Sequence, residues 1–252
     1  MSDALFLADL GPGVAVGGSV TVTGEEARHA VSVRRLQVGE RVLVADGTGR
    51  AIRGPVVSAE KSEMVVEVEE MLSTPSRPHR FLAVQALAKG DRSELAVETM
   101  TELGVDRIIA WQASRSIVRW QGERGEKSLA KWQSTAREAA KQSRRFTVPE
   151  VSSGSTKEVA ALLRRVDCVL VLHEGAELHI SEVDRPKEGT IAIVIGPEGG
   201  IAPEELAAFD AAGARSVLVS DGVLRTSTAG AVALGQLDVL TRKQGTWASA
   251  ST

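Results

Sequence analysis

The sequence predicts an α/β chain in two parts, a small β-barrel over residues 1–72 and an alternating strand–helix domain over 81–245. Three observations carry this. The first third alternates apolar and polar residues with period two between glycine turns. From Phe81 onward, apolar runs alternate with helix-like segments, as in domains built on a parallel sheet. Ile191-Ala-Ile-Val-Ile195 is continuously apolar, as a strand covered on both faces reads, and Gly196-Pro-Glu-Gly-Gly200 follows at its end.

In the first part the strand-like segments are Val14–Val16, Ser19–Thr23, Glu40–Val44 and Glu63–Glu69. Gly17-Gly18, Gly39 and Asp46-Gly-Thr-Gly49 separate them. One helix interrupts, running from Ala27 to Leu36, with Thr23 or Gly24 as cap and Glu25 and Glu26 in its first turn. Residues 73–80 contain Pro75 and Pro78 and no apolar period, which marks a linker. Phe81–Leu87 reads as a strand, Lys89–Arg92 as a turn, Ser93–Gly104 as a helix ending at glycine, and Arg107–Trp111 as the next strand. A long helix is expected over Lys127–Ser143 with Trp132 on its apolar side. Asp167–Leu172 and Val217–Val219 read as buried strands. Pro203 with Glu204 and Glu205 suits a helix start, because proline loses no bond there and acids favour the positive end. Ala229–Leu240 reads as a buried small-residue helix, and the polar tail 246–252 is expected to be disordered.

Composition bounds the function. The chain has 252 residues, 43% hydrophobic and 25% charged, ordinary for a soluble protein with a sizeable core. No apolar run approaches the roughly 20 residues of a membrane helix, and the first residues lack a basic signal-peptide region. The expected location is therefore cytoplasmic, with no membrane partner. One cysteine, Cys168, lies in an apolar run and reads as a core thiol, so no disulfide framework is possible. Four scattered histidines give no metal-ligand spacing, and no metal is expected. The net charge of −3 counts against a generic nucleic-acid binder, so an RNA partner needs a local basic face. Ser114–Arg145 supplies one, with nine bases (Arg115, Arg119, Arg124, Lys127, Lys131, Arg137, Lys141, Arg144 and Arg145) against three acids. It reads either as a solvated helix face or as an RNA-backbone surface, and its concentration in an acidic chain favours the latter. Trp120 beside Arg119 is a core residue or a stacking platform.

The Gly196–Gly200 turn lacks the spacing of a dinucleotide or P-loop site. Its glycines let backbone groups approach a ligand. Past the Val217–Val219 run come Ser220-Asp-Gly222 and then Leu224-Arg-Thr-Ser-Thr-Ala229. Two ligand-ready strand ends suggest one pocket.

IGPEGG with LRTSTA resembles the C-terminal signature of the SPOUT methyltransferases, and most of all the RsmE family of 16S rRNA uridine-N3 methyltransferases. His29–Leu36 with Val38-Gly39-Glu40, Gln85–Glu94, Thr101–Val105 and Ala139–Arg145 are also similar to that family. The resemblance implies a PUA-like RNA-binding barrel followed by a trefoil-knotted SPOUT domain, with Ala229–Leu240 as the knotted helix packing across a homodimer. It implies S-adenosylmethionine as cofactor, held by Leu172 and His173, by Gly196, Pro197, Glu198, Gly199, Gly200 and Ile201, and by Val219, Ser220, Leu224, Thr226 and Thr228. It makes Arg34, Arg35, Lys89, Arg92, Arg115 and Arg145 candidate contacts to 16S rRNA in the 30S subunit. For Arg34 and Arg35 a solvated helix face is the alternative, and for Lys89 and Arg92 a solvated turn.

Methylation at N3 requires loss of a proton from uracil. Arg225 is the candidate for stabilising negative charge on the uracil oxygens, and it cannot be the base because it stays protonated. Glu198 or water is the candidate proton acceptor. His173 with Glu174 is a weaker alternative, since no spacing ties the pair to a base. The family's final loop reads LG-x-RILRTETA; this chain has Ser220 for Gly, Gly222 for Arg and Ser227 for Glu, which leaves no acid there for proton transfer. Competing readings are a SPOUT enzyme acting on another rRNA or tRNA position or on ribose 2′-OH, and a non-enzymatic RNA-binding module.

Overall fold

A computed structural model describes residues 3–242, which divide into two units. The first takes the chain to Ser76 together with Ala140–Val148, and the second takes Arg77–Ala139 and the chain from Pro149. Assignment of 140–148 to the first unit departs from a purely linear division. The expected tail, 246–252, lies outside the described residues.

In the first unit the elements are β1 (Ala4–Leu7), β2 (Ser19–Thr23), α1 (Gly24–Arg28), β3 (Arg41–Ala45), β4 (Arg50–Glu60), β5 (Glu63–Glu67) and β6 (Glu70–Ser73). The strands form one sheet, ordered β1-β3-β4-β5-β2, with β6 paired to β4. Alternation decides the faces: Val20 and Val22 of β2 and Met64 and Val66 of β5 are buried, and their neighbours point outward. A register shift between Val56 and Ser58 bends β4, so that one strand pairs with β3 and β6 at one end and β5 at the other. Phe6, Val44 and Ile52 lie in the core this curl encloses.

Three expectations for this unit are corrected. Val14–Val16 is a turn, held by Val14 N–H to Gly11 O and Gly18 N–H to Ala15 O, with Val16 exposed; the flanking glycines leave too few residues to pair. The helix expected to reach Leu36 ends its α-helical part at Arg28 and continues as a π turn, His29–Val33. The strand expected over Glu63–Glu69 stops at Glu67, and β6 begins at Glu70. Strands β1 and β4 have no counterpart in the sequence reading.

Asp46 organises the β3–β4 turn, its Oδ1 accepting from the N–H groups of Thr48 (2.7 Å), Gly49 (3.0 Å) and Arg50 (3.1 Å). Partial burial disfavours its charge, but these hydrogen bonds outweigh that and hold the pKa below the ordinary aspartate value. A lowered folded-state pKa stabilises the fold above the unfolded value, and that contribution is lost as pH falls through the folded one. Asp46→Ala should therefore cost about 1–2 kcal/mol at neutral pH and progressively less in acid, measured by urea unfolding.

In the second unit the chain runs β7 (His79–Ala86), α2 (Arg92–Glu102), β8 (Arg107–Trp111), α3 (Gly122–Gln142), β9 (Glu150–Gly154) and α4 (Thr156–Leu163). It continues through β10 (Cys168–Leu172), β11 (Gly189–Ile195), α5 (Pro203–Asp210), β12 (Arg215–Val217) and α6 (Thr226–Thr241). Of α3, the residues from Ala140 group with the first unit. All six strands are parallel, ordered β12-β10-β11-β7-β8-β9. Residues of α2, α3 and α6 cover one face and residues of α4 and α5 the other, which is why β11 is apolar on both sides. Trp132 is buried and meets Trp120 edge-on at 5.2 Å, so Trp120 is a packing residue. Cys168 is half-buried, and burial raises its thiol pKa.

Several boundaries differ from expectation; α6, for one, begins at Thr226 rather than Ala229, and β7 at His79 rather than Phe81. The last strand ends at Val217, two residues early, because Leu218 leaves β12 to bond with Leu178 and Ile180. Helix α3 begins at Gly122 rather than Lys127. Neither β9 nor α4 was anticipated, although Ser155 and Glu158 form a capping box on α4.

Helix α6 packs closely on α2. A Cβ at Gly230 would lie 2.5 Å from Met100 Sδ and 3.5 Å from Ile195 Cδ1. Gly230→Val should destabilise the fold by about 1–3 kcal/mol in urea titration, the cost of overpacking a dense core.

Candidate active site

The carboxyl ends of β10, β11 and β12 open into one cavity of about 580 Å³. Three loops form it: Leu172, His173 and Glu174; Ile195–Ile201; and Val217–Thr226. Ala229, Arg92 and Arg115 complete the wall. Ligands of open parallel sheets bind at such strand ends, and the volume lies in the range of small-molecule sites.

Hydrogen bonds between distant segments fix the loops. Thr226, at the start of α6, donates its hydroxyl to Gly196 O at 2.7 Å. Gln85 on β7 is fully buried and donates Nε2 to Thr226 Oγ1 (3.1 Å) and Thr226 O (3.3 Å). The third loop is held by Gln236 Nε2 to Val219 O (2.9 Å), and the first by His173 N–H to Val217 O (3.1 Å). Gly200 has φ of +73°, a conformation other residues rarely adopt. At Gly196 a Cβ would sit 2.8 Å from Ile201 Cγ1, so a side chain there would displace a residue of the cavity wall.

Glu205 supports the site from α5. It is buried, and its carboxylate accepts from Ser114 N–H (2.8 Å), Ser114 Oγ (3.0 Å), Thr156 Oγ1 (2.8 Å) and Ala202 N–H (3.3 Å). This anchors the loop before Arg115, whose guanidinium donates to Gly199 O at 3.3 Å. Arg119 closes the same loop by donating to Ala113 O and Ser114 O.

The charged groups on the wall are Glu174, Glu198 and Asp221 with Arg92, Arg115 and Arg225. The Glu198 side chain is 28% exposed, with Arg92 4.0 Å away and the Lys89 N–H donating to it at 3.4 Å. Arg225 precedes α6, where its carbonyl accepts from Thr228 and Ala229 N–H. Its exposed guanidinium has no hydrogen bond or ion pair among the described residues. His173 Nδ1 accepts from Gly175 N–H at 3.0 Å, which leaves the ring proton on Nε2 in the neutral form.

All but one of the candidate cofactor residues line this cavity. Thr228 does not; it lies exposed in α6 with its hydroxyl bonded to Arg225 O. Glu198 and Arg225 are on the wall, as are Arg92 and Arg115 of the RNA set. Lys89 approaches Glu198 through its backbone, while Arg34, Arg35 and Arg145 belong to the first unit. Sequence reasoning missed Gln85 and the support given by Glu205. The signal for Gln85 was one polar residue inside an apolar strand; Glu205 had none beyond a helix-start acid.

A family model described as RNA methyltransferase domain matches residues 75–238, and one described as RNA methyltransferase PUA domain matches residues 22–69. The chain is 42% identical over 246 residues to Ribosomal RNA small subunit methyltransferase E of Mycobacterium bovis, covering 95% of this chain and 92% of that protein. It is 29% identical to the Bacillus subtilis protein of that name, covering 88% and 90%. A crystal structure of Ribosomal RNA small subunit methyltransferase E from Neisseria gonorrhoeae, bound to S-adenosyl methionine, matches with a TM-score of 0.83 at 27% identity, covering 95% of this chain and 98% of that one. Matched in both of its parts by family models, and 42% identical to a named member over 95% of its length, the chain belongs to the ribosomal RNA small subunit methyltransferase E family.

Proposed function

We propose that this chain transfers the methyl group of S-adenosylmethionine to N3 of a uridine in 16S rRNA. The observation that carries the reading is the convergence of three strand-end loops on one cavity, in a family whose Neisseria gonorrhoeae member was crystallised with S-adenosyl methionine. The residues present suit that group. Leu172, Ile195, Ile201 and Leu224 offer apolar wall for an aromatic base, and Glu174, Glu198 and Asp221 offer negative charge for amine and sulfonium cations.

The cofactor supplies a methyl group already activated on sulfonium, so this chain's residues have to orient the acceptor and manage its proton. In the proposed mechanism Arg225, without a side-chain partner among the described residues, faces the uracil oxygens and stabilises the charge left when N3 loses its proton. Glu198 or a water beside it takes that proton. The N3 edge is used in base pairing, so the base must enter unpaired or flipped out. Arg92 and Arg115 at the wall suit an RNA backbone around it.

Several finer points belong to the same reading. The trefoil knot is supported by chain order: β12 lies at the sheet edge beyond β10, yet α6 returns to pack on β7, β11 and α2. A homodimer is supported by three exposed apolar residues, Leu95 on α2, Leu103 just past its end and Val239 on α6. The 30S subunit as substrate and a cytoplasmic site of action follow from the proposed RNA. Mass spectrometry of 16S rRNA nucleosides tests the whole: a strain lacking this chain should lose one N3-methyluridine, restored by the wild-type gene and not by Arg225→Ala. Unchanged N3-methyluridine, or loss of a ribose methyl instead, would overturn the assignment.

A further inference from the structure

Gln85 is fully buried in an otherwise apolar run, Phe81–Ala88. Its amide NH2 reaches three acceptors: Ala86 O (3.1 Å), Thr226 O (3.3 Å) and Thr226 Oγ1 (3.1 Å). Two of these are carbonyl oxygens, which only accept, so turning the amide over would set oxygen against oxygen. The other end of the amide, Oε1, is buried and accepts from nothing among the described residues.

This fixes the direction of the Thr226 hydroxyl, which is also buried. Its oxygen accepts from Gln85, and its single proton goes to Gly196 O at 2.7 Å. A directed chain therefore runs from β7 to the first residue of α6 and on to the loop after β11. In the sheet Gln85 is paired with Ile195, the residue before Gly196, so strand pairing closes the third side of the triangle. Gly196 opens one cavity loop, and Arg225 immediately precedes Thr226.

Stability alone does not account for a glutamine here. A buried acceptor without a donor costs free energy, and an apolar side chain of similar length would avoid that cost. Exceptions of this kind are expected where geometry serves function.

We infer that Gln85 is a positioning residue for methyl transfer: acting through Thr226, it sets where Arg225 stands relative to the loop that begins at Gly196. The inference rests on the proposed roles of that loop and of Arg225. Gln85 itself does not line the cavity, so it contributes no contact to cofactor or base.

The test is single-turnover methylation of undermethylated 30S subunits by the full chain, with cofactor and subunits saturating. The proteins are wild type, Gln85→Met, Thr226→Val, Arg225→Ala, and Gln85→Met combined with Arg225→Ala. Gln85→Met should slow the reaction by about 10–100-fold, the cost of a small misplacement at the reacting centre. Its affinity for S-adenosylmethionine, measured by calorimetry, should stay within about threefold of wild type. Thr226→Val, nearly the same shape, removes the same hydrogen bond from its other end and should slow the reaction comparably; it decides the matter if Gln85→Met does not fold. In the Arg225→Ala background, Gln85→Met should slow the reaction by less than about threefold more, because its effect passes through Arg225. A wild-type rate for the folded single variants would overturn the inference, as would weaker cofactor binding with an unchanged rate at saturation. Full additivity with Arg225→Ala would also overturn it, showing that Gln85 only supports the fold. These three results leave the methyl-transfer reading intact, whereas a near-wild-type rate for Arg225→Ala would overturn the role of Arg225 and the inference with it.

Discussion

Replacing Arg225 by alanine should lower the rate of methyl transfer by about 10²–10³-fold, roughly 3–4 kcal/mol of transition-state stabilisation, the usual cost of deleting one preorganised electrostatic contact. The fold should tolerate the change. The helix-start role at this position belongs to the Arg225 carbonyl, which accepts from Thr228 and Ala229 N–H and is kept by alanine. The guanidinium is exposed and bonds to nothing internal among the described residues, so its removal orphans no buried group. Arg225→Lys should recover part of the rate, since the charge returns without the planar fork. Single-turnover methylation of 30S subunits, with cofactor affinity measured in parallel, reads the effect. Near-full turnover by Arg225→Ala would remove Arg225 from the chemistry.

Glu205→Ala should be among the most destabilising single changes in the second unit. The carboxylate is 4% exposed and serves two backbone N–H groups and two hydroxyls. The hydroxyls of Ser114 and Thr156 can rotate toward other acceptors, but the N–H groups of Ser114 and Ala202 cannot. Leaving both without a partner costs about 1–3 kcal/mol each, so a total near 3 kcal/mol is expected in urea unfolding. Glu205→Gln keeps one acceptor oxygen and should fall between. Because the same carboxylate anchors the loop that presents Arg115, the glutamine variant should also bind 30S more weakly. A wild-type urea midpoint for Glu205→Ala would show that the contacts drawn to Glu205 contribute little.

The parts of the fold legible in the sequence were those whose residues declare their own environment. Ile191–Ile195 is apolar throughout because helices cover both faces of β11. Pro203, Glu204 and Glu205 marked the start of α5 because helix ends have local chemistry. Strand β4 was invisible: Gly54 and Pro55 look like a break, yet they sit within a bent strand whose pairing is decided by partners elsewhere. The π turn was equally hidden, since it inserts a residue into a helix without any residue type announcing it. In the site, the glycine turn and the loop before Arg225 could be found from strand ends and family resemblance. The Gln85–Thr226 bond joins residues 141 apart and the Thr156–Glu205 bond residues 49 apart, so no local pattern could have paired them.

The account stands on one cavity at the carboxyl ends of β10, β11 and β12. Calorimetry of S-adenosylmethionine with wild-type chain and with Gly196→Ala tests it most directly, because an added Cβ there would meet Ile201 Cγ1 at 2.8 Å, so that Ile201, which lines the cavity, must shift. Saturable binding to wild type, weakened at least about tenfold in a Gly196→Ala variant of unchanged thermal midpoint, is the expected result. Equal binding by the two proteins, or none by the wild type, would contradict it.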